Sequence, residues 1–224
     1  MIGQGINAAQ LKSMLGHVAH RIEESEPRLN ALDAAIGDGD HGITMRLGFA
    51  AIKQQLSTLS EDASITEILH ESGAAFMDAT GGAIGVILGK MLMAGGNELH
   101  HVETVGTVEL NSLLVAMESG AVKAGKAQLG DKTIIDALHG AIEALRDFQA
   151  TDSLTDAFEK AAEAAEVAAE GTASMRSRVG RASRLGDRSL GHADPGAVSL
   201  AIMLRAMTDW MQANRLVLER TTYR

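Results

Sequence analysis

Apolar residues recur at helical spacing along nearly the whole chain, and this periodicity constrains the fold more than any other feature. Within 110–121, 154–165 and 200–211, Leu, Met, Ala and Phe occupy positions i, i+3, i+4 and i+7. Such a stripe covers about 100° of a helix surface, which is typical of a helix packed on one side. We therefore predict an all-α fold with helices at 7–26, 27–36, 42–59, 64–79, 83–99, 107–124, 131–147, 154–173 and 196–218.

Alternation typical of strands is almost absent. The run 102–108 alternates only weakly, so we predict a loop there. Two helix starts carry capping signals: Ser64 with Glu67 matches a capping box, and Asp194 precedes a proline at the first helical position. The chain has two prolines and no low-complexity linker, so residues 1–224 are predicted to form a single domain.

Composition and charge exclude several classes of protein. The chain has no cysteine, which excludes a disulfide scaffold, a Cys-ligated zinc site and a thiol nucleophile. A net charge of −9 argues against non-specific nucleic-acid binding. The longest apolar runs, 83–96 and 197–207, are interrupted by Lys90 and Arg205 and are too short to span a bilayer. The first ten residues show no secretory signal, so we predict a soluble, cytoplasmic protein.

Glycine is unusually abundant for a helical chain, at 24 of 224 residues against a usual fraction of ~7%. One interpretation is that glycine C-caps many helices, and the other is that these joints are ligand-binding loops. Composition alone does not decide between these two interpretations. The helices between the joints are predicted to be nearly free of glycine. The glycines concentrate in five joints at 37–42, 81–89, 120–130, 171–191 and 196.

The first joint matches two known glycine-containing motifs only in part. Gly37, Gly39 and Gly42 satisfy G-x-G-x-x-G, but no strand precedes them and aspartates occupy two variable positions, where they would repel a pyrophosphate. An EF-hand loop counted from Asp38 places Phe49 where a bidentate glutamate is needed. Both motifs are therefore rejected.

Three carboxylates, Asp33, Asp38 and Asp40, are the chemically distinctive part of this joint. Asp33 lies about one helical turn before the loop, and the other two flank Gly39. Three like charges repel one another unless a cation lies among them, and oxygen ligands favour Mg²⁺. The alternative is a solvated acidic turn in which one aspartate is an N-cap. Three carboxylates interleaved with glycine favour the metal site.

Two further joints carry weaker signals. The segment around Gly125 and Lys126 is close to a P-loop, but Ala127 stands where Ser or Thr is required. Asp131 and Thr133 either cap the next helix or contact a ligand, with equal weight at this point.

A local basic run follows in this otherwise acidic chain. It is either a solvated face or an anion-binding loop next to a helix start. Together with the acidic joint it suggests chemistry on a magnesium-bound phosphate, and the sequence contains neither G-x-S-x-G nor H-E-x-x-H. The run consists of Arg176, Arg178, Arg181, Arg184 and Arg188.

These joints resemble the nucleotide-binding L subunits of dihydroxyacetone kinases. The resemblance extends from about residue 8 to residue 211, with the motifs in the family's order. It implies a closed barrel of eight antiparallel, amphipathic helices, with a nucleotide bound at one end by the loops between helices. The matching strings are LDAAIGDGDHG at 32–42, GGAIG at 81–85, GDKT at 130–133 and GRASRLGDRSLGHADPG at 180–196.

The resemblance also implies roles for individual residues. Asp33, Asp38 and Asp40 would hold two Mg²⁺ ions bridged to the nucleotide phosphates. We hypothesise in addition that Arg181 stabilises the transition state of phosphoryl transfer. The implied nucleotide-binding residues are His41, Gly42, Ile43, Thr44, Ala83, Ile84, Gly125, Ile134, Arg181, Asp194, Pro195 and Gly196.

The chain departs from the family pattern at two of these positions. The family commonly has serine or a similar polar residue where Ile84 stands, and often asparagine where Thr44 stands. The backbone amide of Ile84 can still serve, but a side-chain donor to phosphate is lost.

The implied function is an ADP- or ATP-binding kinase subunit. It would transfer a phosphoryl group to dihydroxyacetone, or a related short ketose, held on a K-type subunit. An M-type subunit of the phosphotransferase system would be the donor, and a homodimer is left open. Alternatives are a free-standing, ATP-exchanging kinase subunit for another small ketose, and a regulatory nucleotide-binding module acting on a transcription regulator. The three aspartates argue against a purely regulatory protein.

Overall fold

The structure, a computed structural model, describes residues 5–221, with side chains for residues 5–214. This part of the chain is mostly helical, as predicted, and two 3₁₀ segments, Thr172–Ser174 and Arg181–Ser189, lie between its last two α-helices. The elements are β1 (Ile6–Asn7), α1 (Ala8–Ile36), α2 (His41–Thr58), α3 (Ile65–Ala79), α4 (Gly82–Glu98), β2 (Thr104–Val105), α5 (Thr107–Gly125), α6 (Ile134–Ala144), α7 (Leu154–Gly171) and α8 (Pro195–Thr221).

The helices pack in chain order around one apolar core. Each helix contacts the next along the chain, and α8 contacts α1 as well as α7. The buried stripe of α7 consists largely of alanines, including Ala157, Ala161 and Ala165, which let the neighbouring helices approach closely. Among the described helices, none combines the length and the apolar character needed to cross a membrane.

The N-terminal region forms one helix where the sequence predicted two. Helix α1 is continuous from Ala8 to Ile36 and contains Pro27 in its interior. A proline there removes one backbone hydrogen bond. Pro27 is exposed, as is Glu23 one turn earlier, so water can satisfy the released carbonyl. Ile22 and Leu29, on either side of the proline, are fully buried and hold both halves of the helix against the core.

The prediction of a loop at 102–108 is wrong in part, because β2 lies within this run. Residues Ile6 and Val105 face each other in a short antiparallel pair with β1. Both side chains are buried, so this contact joins the chain start to the segment before α5.

Several glycines lie inside helices, which corrects two expectations: Gly73 lies in a helix between the joints, and Gly89 and Gly120, predicted in joints, lie inside α4 and α5. A Cβ at Gly73 in α3 would lie 2.6 Å from the carbonyl oxygen of Gly89 in α4, and one at Gly120 in α5 would lie 2.8 Å from the carbonyl oxygen of Lys90. These distances are shorter than real Cβ contacts. Part of the glycine excess therefore serves helix packing rather than loops.

Substituting Gly73 by alanine is expected to lower the free energy of unfolding by about 1–2 kcal/mol. The added Cβ meets backbone, which cannot rotate away, and this outweighs alanine's better helix propensity. Gly16→Ala is the matched control, since nothing lies within 4 Å of a Cβ at Gly16 in α1. That variant should instead gain up to about 1 kcal/mol. Urea denaturation measures both, and equal stability of the two variants would contradict the packing argument.

Candidate functional site

Three joints meet at the end of the molecule where α2, α6 and α8 begin. Arg181, between α7 and α8, pairs with Asp38, between α1 and α2. The backbone amide of Arg178 donates to the carbonyl of Asp131, between α5 and α6, at 3.2 Å. His41 at the start of α2 contacts Ser199 in α8. Residues widely separated in the sequence are thereby brought together at this end.

The acidic cluster (Asp33, Asp38 and Asp40) forms the centre of the candidate site. One ligand oxygen of each carboxylate lies within 4.8 Å of the others; Asp33 is half-buried and the other two are exposed. Asp33 Oδ2 also accepts hydrogen bonds from the backbone amides of Gly39 at 2.8 Å and Asp40 at 3.0 Å. Asp33 therefore folds the loop that carries the other two carboxylates. Gly39 makes this turn at φ +81°, which favours glycine.

The chemistry of this donor set fits a hard divalent cation. Three carboxylates so close together repel one another without a cation between them, and oxygen-only ligands match Mg²⁺. The alternative of an aspartate N-cap does not describe the geometry. Asp40 occupies the N-cap position of α2, but its side chain makes no capping hydrogen bond.

Arg181 is the arginine that reaches the acidic cluster. It begins the second 3₁₀ segment, within residues 175–192, which we call the arginine loop. Its guanidinium pairs with Asp38, whereas Arg176 lies 3.4 Å from Asp187 within the same loop. The basic run is thus not uniform, because one member faces the carboxylates and another is paired inside the loop.

His41 fixes the start of α2 against α8. Its Nε2 lies 2.8 Å from Ser199 Oγ, and the Ser199 hydroxyl donates to the carbonyl of Pro195 at 2.9 Å. The Ser199 oxygen therefore accepts the hydrogen on His41 Nε2. Burial lowers the pKa of His41 to about 4, against the opposing effects of the Asp33 charge and the Pro195 carbonyl. His41 is consequently neutral at physiological pH.

Asn30 is a contributor that the sequence analysis missed. Its Oδ1 accepts the backbone amide of Ile43 at 3.1 Å, so this amide already has a partner. Asn30 precedes Asp33 by three residues on the same helix face, and that spacing was the available signal. Gly42 is buried where a Cβ would meet the Glu26 carbonyl, so it lets α2 approach α1. The backbone amide of Thr44 donates to the carbonyl of Asp40 at 2.9 Å, as in a regular helix.

The start of α4 is open, unlike those of α6 and α8. Its N-cap, Gly81, makes no side-chain hydrogen bond, and Gly82 turns the chain at φ +76°. Ala83 is exposed and Ile84 is half-buried against the core. Unpaired first-turn amides of this kind attract anions. Gly125, at the end of α5, packs against Ile87 in α4, which connects this helix start to the joint before α6.

Within the joint at 130–133, Thr133 is the residue that caps α6. The Thr133 side chain accepts the amide of Ile135, and the Asp131 carboxylate accepts the amide of Gln128 at 2.8 Å. For Thr133, capping of α6 is the alternative that the structure shows, whereas the Asp131 bond lies within the turn before the helix and does not cap it. Ile134 is buried. A Cβ added at Gly196 would lie 3.6 Å from the Cβ of Ile134. These two predicted nucleotide-binding residues, Ile134 and Gly196, are therefore adjacent, and the Ile134 side chain lies in the core.

Asp194 caps α8 as predicted and has an unusual charge environment. Its carboxylate accepts the amide of Ala197 at 2.8 Å, and Pro195 follows as the first residue of the helix. Burial raises the pKa of Asp194 from 3.8 to about 7. The hydrogen bond from Ala197 and the charge of Lys132 lower this pKa, whereas the charge of Asp136 raises it further.

Replacing Asp194 by asparagine is expected to stabilise the ligand-free protein at neutral and alkaline pH. Because its pKa is raised on folding, the stability that Asp194 contributes is complete below about pH 4 and is lost as the pH rises to about 7. Asparagine keeps an N-cap acceptor and carries no charge to bury. The advantage of Asp194→Asn should grow by on the order of 3 kcal/mol between pH 4 and pH 8.

Urea denaturation across this pH range tests the expectation. Asp78→Asn, at an exposed position near the end of α3, is the control for removal of one negative charge. A stability difference between Asp194→Asn and the wild type that is independent of pH would contradict the argument.

Comparison with known proteins shows which family this chain resembles. Residues 35–209 match the DAK2 domain. The chain is similar to the PEP-dependent dihydroxyacetone kinase ADP-binding subunit DhaL of Escherichia coli K12, with 36% identity over 203 residues, 90% of this chain and 96% of the relative. It is also similar to the corresponding subunit of PEP-dependent dihydroxyacetone kinase 1 of Listeria innocua, with 34% identity over 193 residues, 86% of this chain and 91% of the relative.

A solved structure resembles the fold over most of the chain. The dihydroxyacetone kinase of C. freundii, crystallised with AMP-PNP and Mg²⁺, aligns with a TM-score of 0.67 and 27% sequence identity. The alignment covers 92% of this chain, which spans only 34% of the length of that larger protein.

Proposed function

Because this chain belongs to the DAK2 domain family, we propose that it is the nucleotide-binding subunit of a dihydroxyacetone-type kinase. In this proposal it holds ADP or ATP with Mg²⁺ and transfers a phosphoryl group to dihydroxyacetone, or a related short ketose, on a K-type partner. The observation that best supports this function is the acidic cluster, with the Arg181 guanidinium paired to one of its carboxylates.

The proposed architecture is a closed barrel of eight antiparallel helices. The order of helix contacts supports it, because consecutive helices pack together and α8 returns to α1. Such closure explains how the loops of residues 37–40, 126–133 and 172–194 converge at one end, since alternate helices begin there.

The acidic cluster is proposed to hold the Mg²⁺ ions, two in number. When bound, they would offset the negative charge of the nucleotide phosphates. Asp33 also keeps the backbone of Gly39 and Asp40 in place, so the ligand oxygens are positioned before the metal arrives. Such positioning reduces the reorganisation needed on binding.

The remaining site residues are proposed to enclose the nucleotide. Ala83 and Ile84 offer the backbone amides of an uncapped helix start, which suit phosphate. The segment from His41 to Thr44 lies beside the acidic cluster, and Asp194 to Gly196 lie across from it at the start of α8. Gly125 and Ile134 are proposed to lie near the base. Arg181 would stabilise the charge that develops on the transferred oxygens.

In this reaction no residue of the chain forms a covalent bond to the substrate. The hydroxyl oxygen of the ketose forms a bond to the terminal phosphorus, the bond to the bridging nucleotide oxygen breaks, and the hydroxyl proton is released. The residues of the site would hold Mg²⁺ and would supply backbone amides and a guanidinium, which is what such a transfer needs.

Reconstitution tests this function directly. The purified chain is combined with a K-type subunit and dihydroxyacetone, and is supplied either with ATP or with a phosphoenolpyruvate-driven M-type donor. We expect formation of dihydroxyacetone phosphate and co-purification of ADP. Rapid exchange of labelled ATP would favour the ATP-dependent form over the one with permanently bound ADP. No product with either donor, and no bound nucleotide, would overturn the proposal.

A further inference from the structure

Lys132 is a buried lysine whose ammonium lies inside the base of the arginine loop. Its side chain is 1% exposed. The ammonium donates hydrogen bonds to the carbonyl oxygens of Met175 at 3.2 Å, Ser189 at 2.6 Å and His192 at 2.6 Å. An ammonium has three hydrogens to donate, so each is used by a carbonyl of this loop.

These three carbonyls lie at the two ends of the arginine loop. Met175 is at its beginning, whereas Ser189 and His192 are at its return toward α8. Lys132 therefore joins the outgoing and returning chains, and its own backbone belongs to a different joint, before α6. A hydrogen bond from the Ser177 amide to Ser189 Oγ, 3.0 Å long, links the same two chains.

The backbone of Lys132 is held in an uncommon conformation. Its φ is +64°, in the left-handed region that side-chain-bearing residues rarely adopt. Burial lowers its pKa, and the negative charge of Asp194 opposes that effect. A strained, buried cation persists only where the surrounding structure compensates for it. The three charge-assisted hydrogen bonds supply that compensation.

We propose that Lys132 is a positioning residue for Arg181. By holding the ends of the arginine loop together, its ammonium keeps Arg181 at the acidic cluster. The effect of Lys132 on phosphoryl transfer rests on the proposed function, whereas its effect on the loop does not.

Trypsin measures the loop directly, because the arginine loop contains five arginines and Arg181 is exposed. Lys132→Met removes the ammonium while keeping an apolar stem of similar length. We expect cleavage within 175–192 to accelerate by at least about tenfold. Lys12→Met is the matched control, since Lys12 donates to the carbonyls of Leu59 and Ser60 after α2. It should leave cleavage in the arginine loop at the wild-type rate.

A double-mutant cycle in the reconstituted kinase tests the functional half. Lys132→Met should lower kcat by about tenfold or more with nucleotide affinity changed much less, and it should have little further effect in an Arg181→Ala background. Lys132→Arg, which keeps the charge and several donors, should restore part of the activity and of the protease resistance. Lys132→Gln provides a milder test should Lys132→Met fail to fold, as judged by circular dichroism.

The outcomes separate the two proposals. Unchanged cleavage in folded Lys132→Met or Lys132→Gln overturns the positioning role whatever the kinase does. Equal losses of kcat in the wild-type and Arg181→Ala backgrounds also overturn it, since Lys132 would then act independently of Arg181. An inactive wild-type chain with a normally protected loop contradicts the proposed function instead.

Discussion

Replacing Asp38 and Asp40 together by asparagine is expected to abolish phosphoryl transfer and to weaken Mg²⁺-dependent nucleotide binding by at least about a hundredfold. Both carboxylates are exposed and offer oxygens within 4.8 Å of each other and of Asp33. The ligand-free variant should unfold at about the same temperature as the wild type, because relief of the repulsion among the carboxylates offsets the loss of the exposed Asp38–Arg181 ion pair. Isothermal titration with MgADP and thermal unfolding measure the two effects.

Loss of MgADP binding without loss of stability makes this test specific. A variant that merely misfolds would lose stability together with binding, whereas loss of a metal site lowers binding alone. Asp78→Asn, exposed on α3, should retain both binding and activity. If Asp38→Asn/Asp40→Asn bound MgADP as tightly as the wild type, the acidic cluster would not be the metal site.

Replacing Arg181 by alanine is expected to lower turnover by about 10³-fold, while nucleotide affinity changes by less than about fivefold. Its guanidinium lies against Asp38 on an exposed loop, so its removal leaves no cavity in the core. The charge it would stabilise develops only during transfer, and an interaction made only in the transition state affects kcat rather than binding. Steady-state kinetics in the reconstituted kinase, with calorimetry for ADP, separates the two quantities.

Arg184→Ala is the matched control, because Arg184 is exposed in the same loop and was assigned no role. It should retain activity within a few-fold of the wild type. Equal losses of turnover and nucleotide affinity in Arg181→Ala would contradict a transition-state role and make Arg181 a binding residue.

The helices were predictable because their signals are local. An amphipathic stripe needs only neighbours three and four positions away, and the Ser64–Glu67 capping box forms as predicted. The split of α1 at Pro27 was wrong because burial of Ile22 and Leu29 outweighs one lost hydrogen bond. Local propensity is overridden in this way wherever tertiary packing contributes more free energy.

The acidic cluster was also accessible from the sequence. Its three aspartates lie within eight positions of one another, so a helix end and one glycine turn suffice to bring them together. Glycine was misleading in part, because a glycine in a loop and one at a helix crossing look the same in the sequence. Only the positions of the facing carbonyls, such as that of Gly89 opposite Gly73, separate the two uses.

The sequence by itself thus determined the helical class, most helix starts and the acidic cluster, all of which depend on residues close along the chain. The tertiary structure alone decided what surrounds that cluster. His41 meets Ser199 across 158 positions, and Lys132 reaches carbonyls 43 to 60 residues later. Such contacts depend on how whole helices pack, and no local pattern encodes which distant carbonyl a buried ammonium will find.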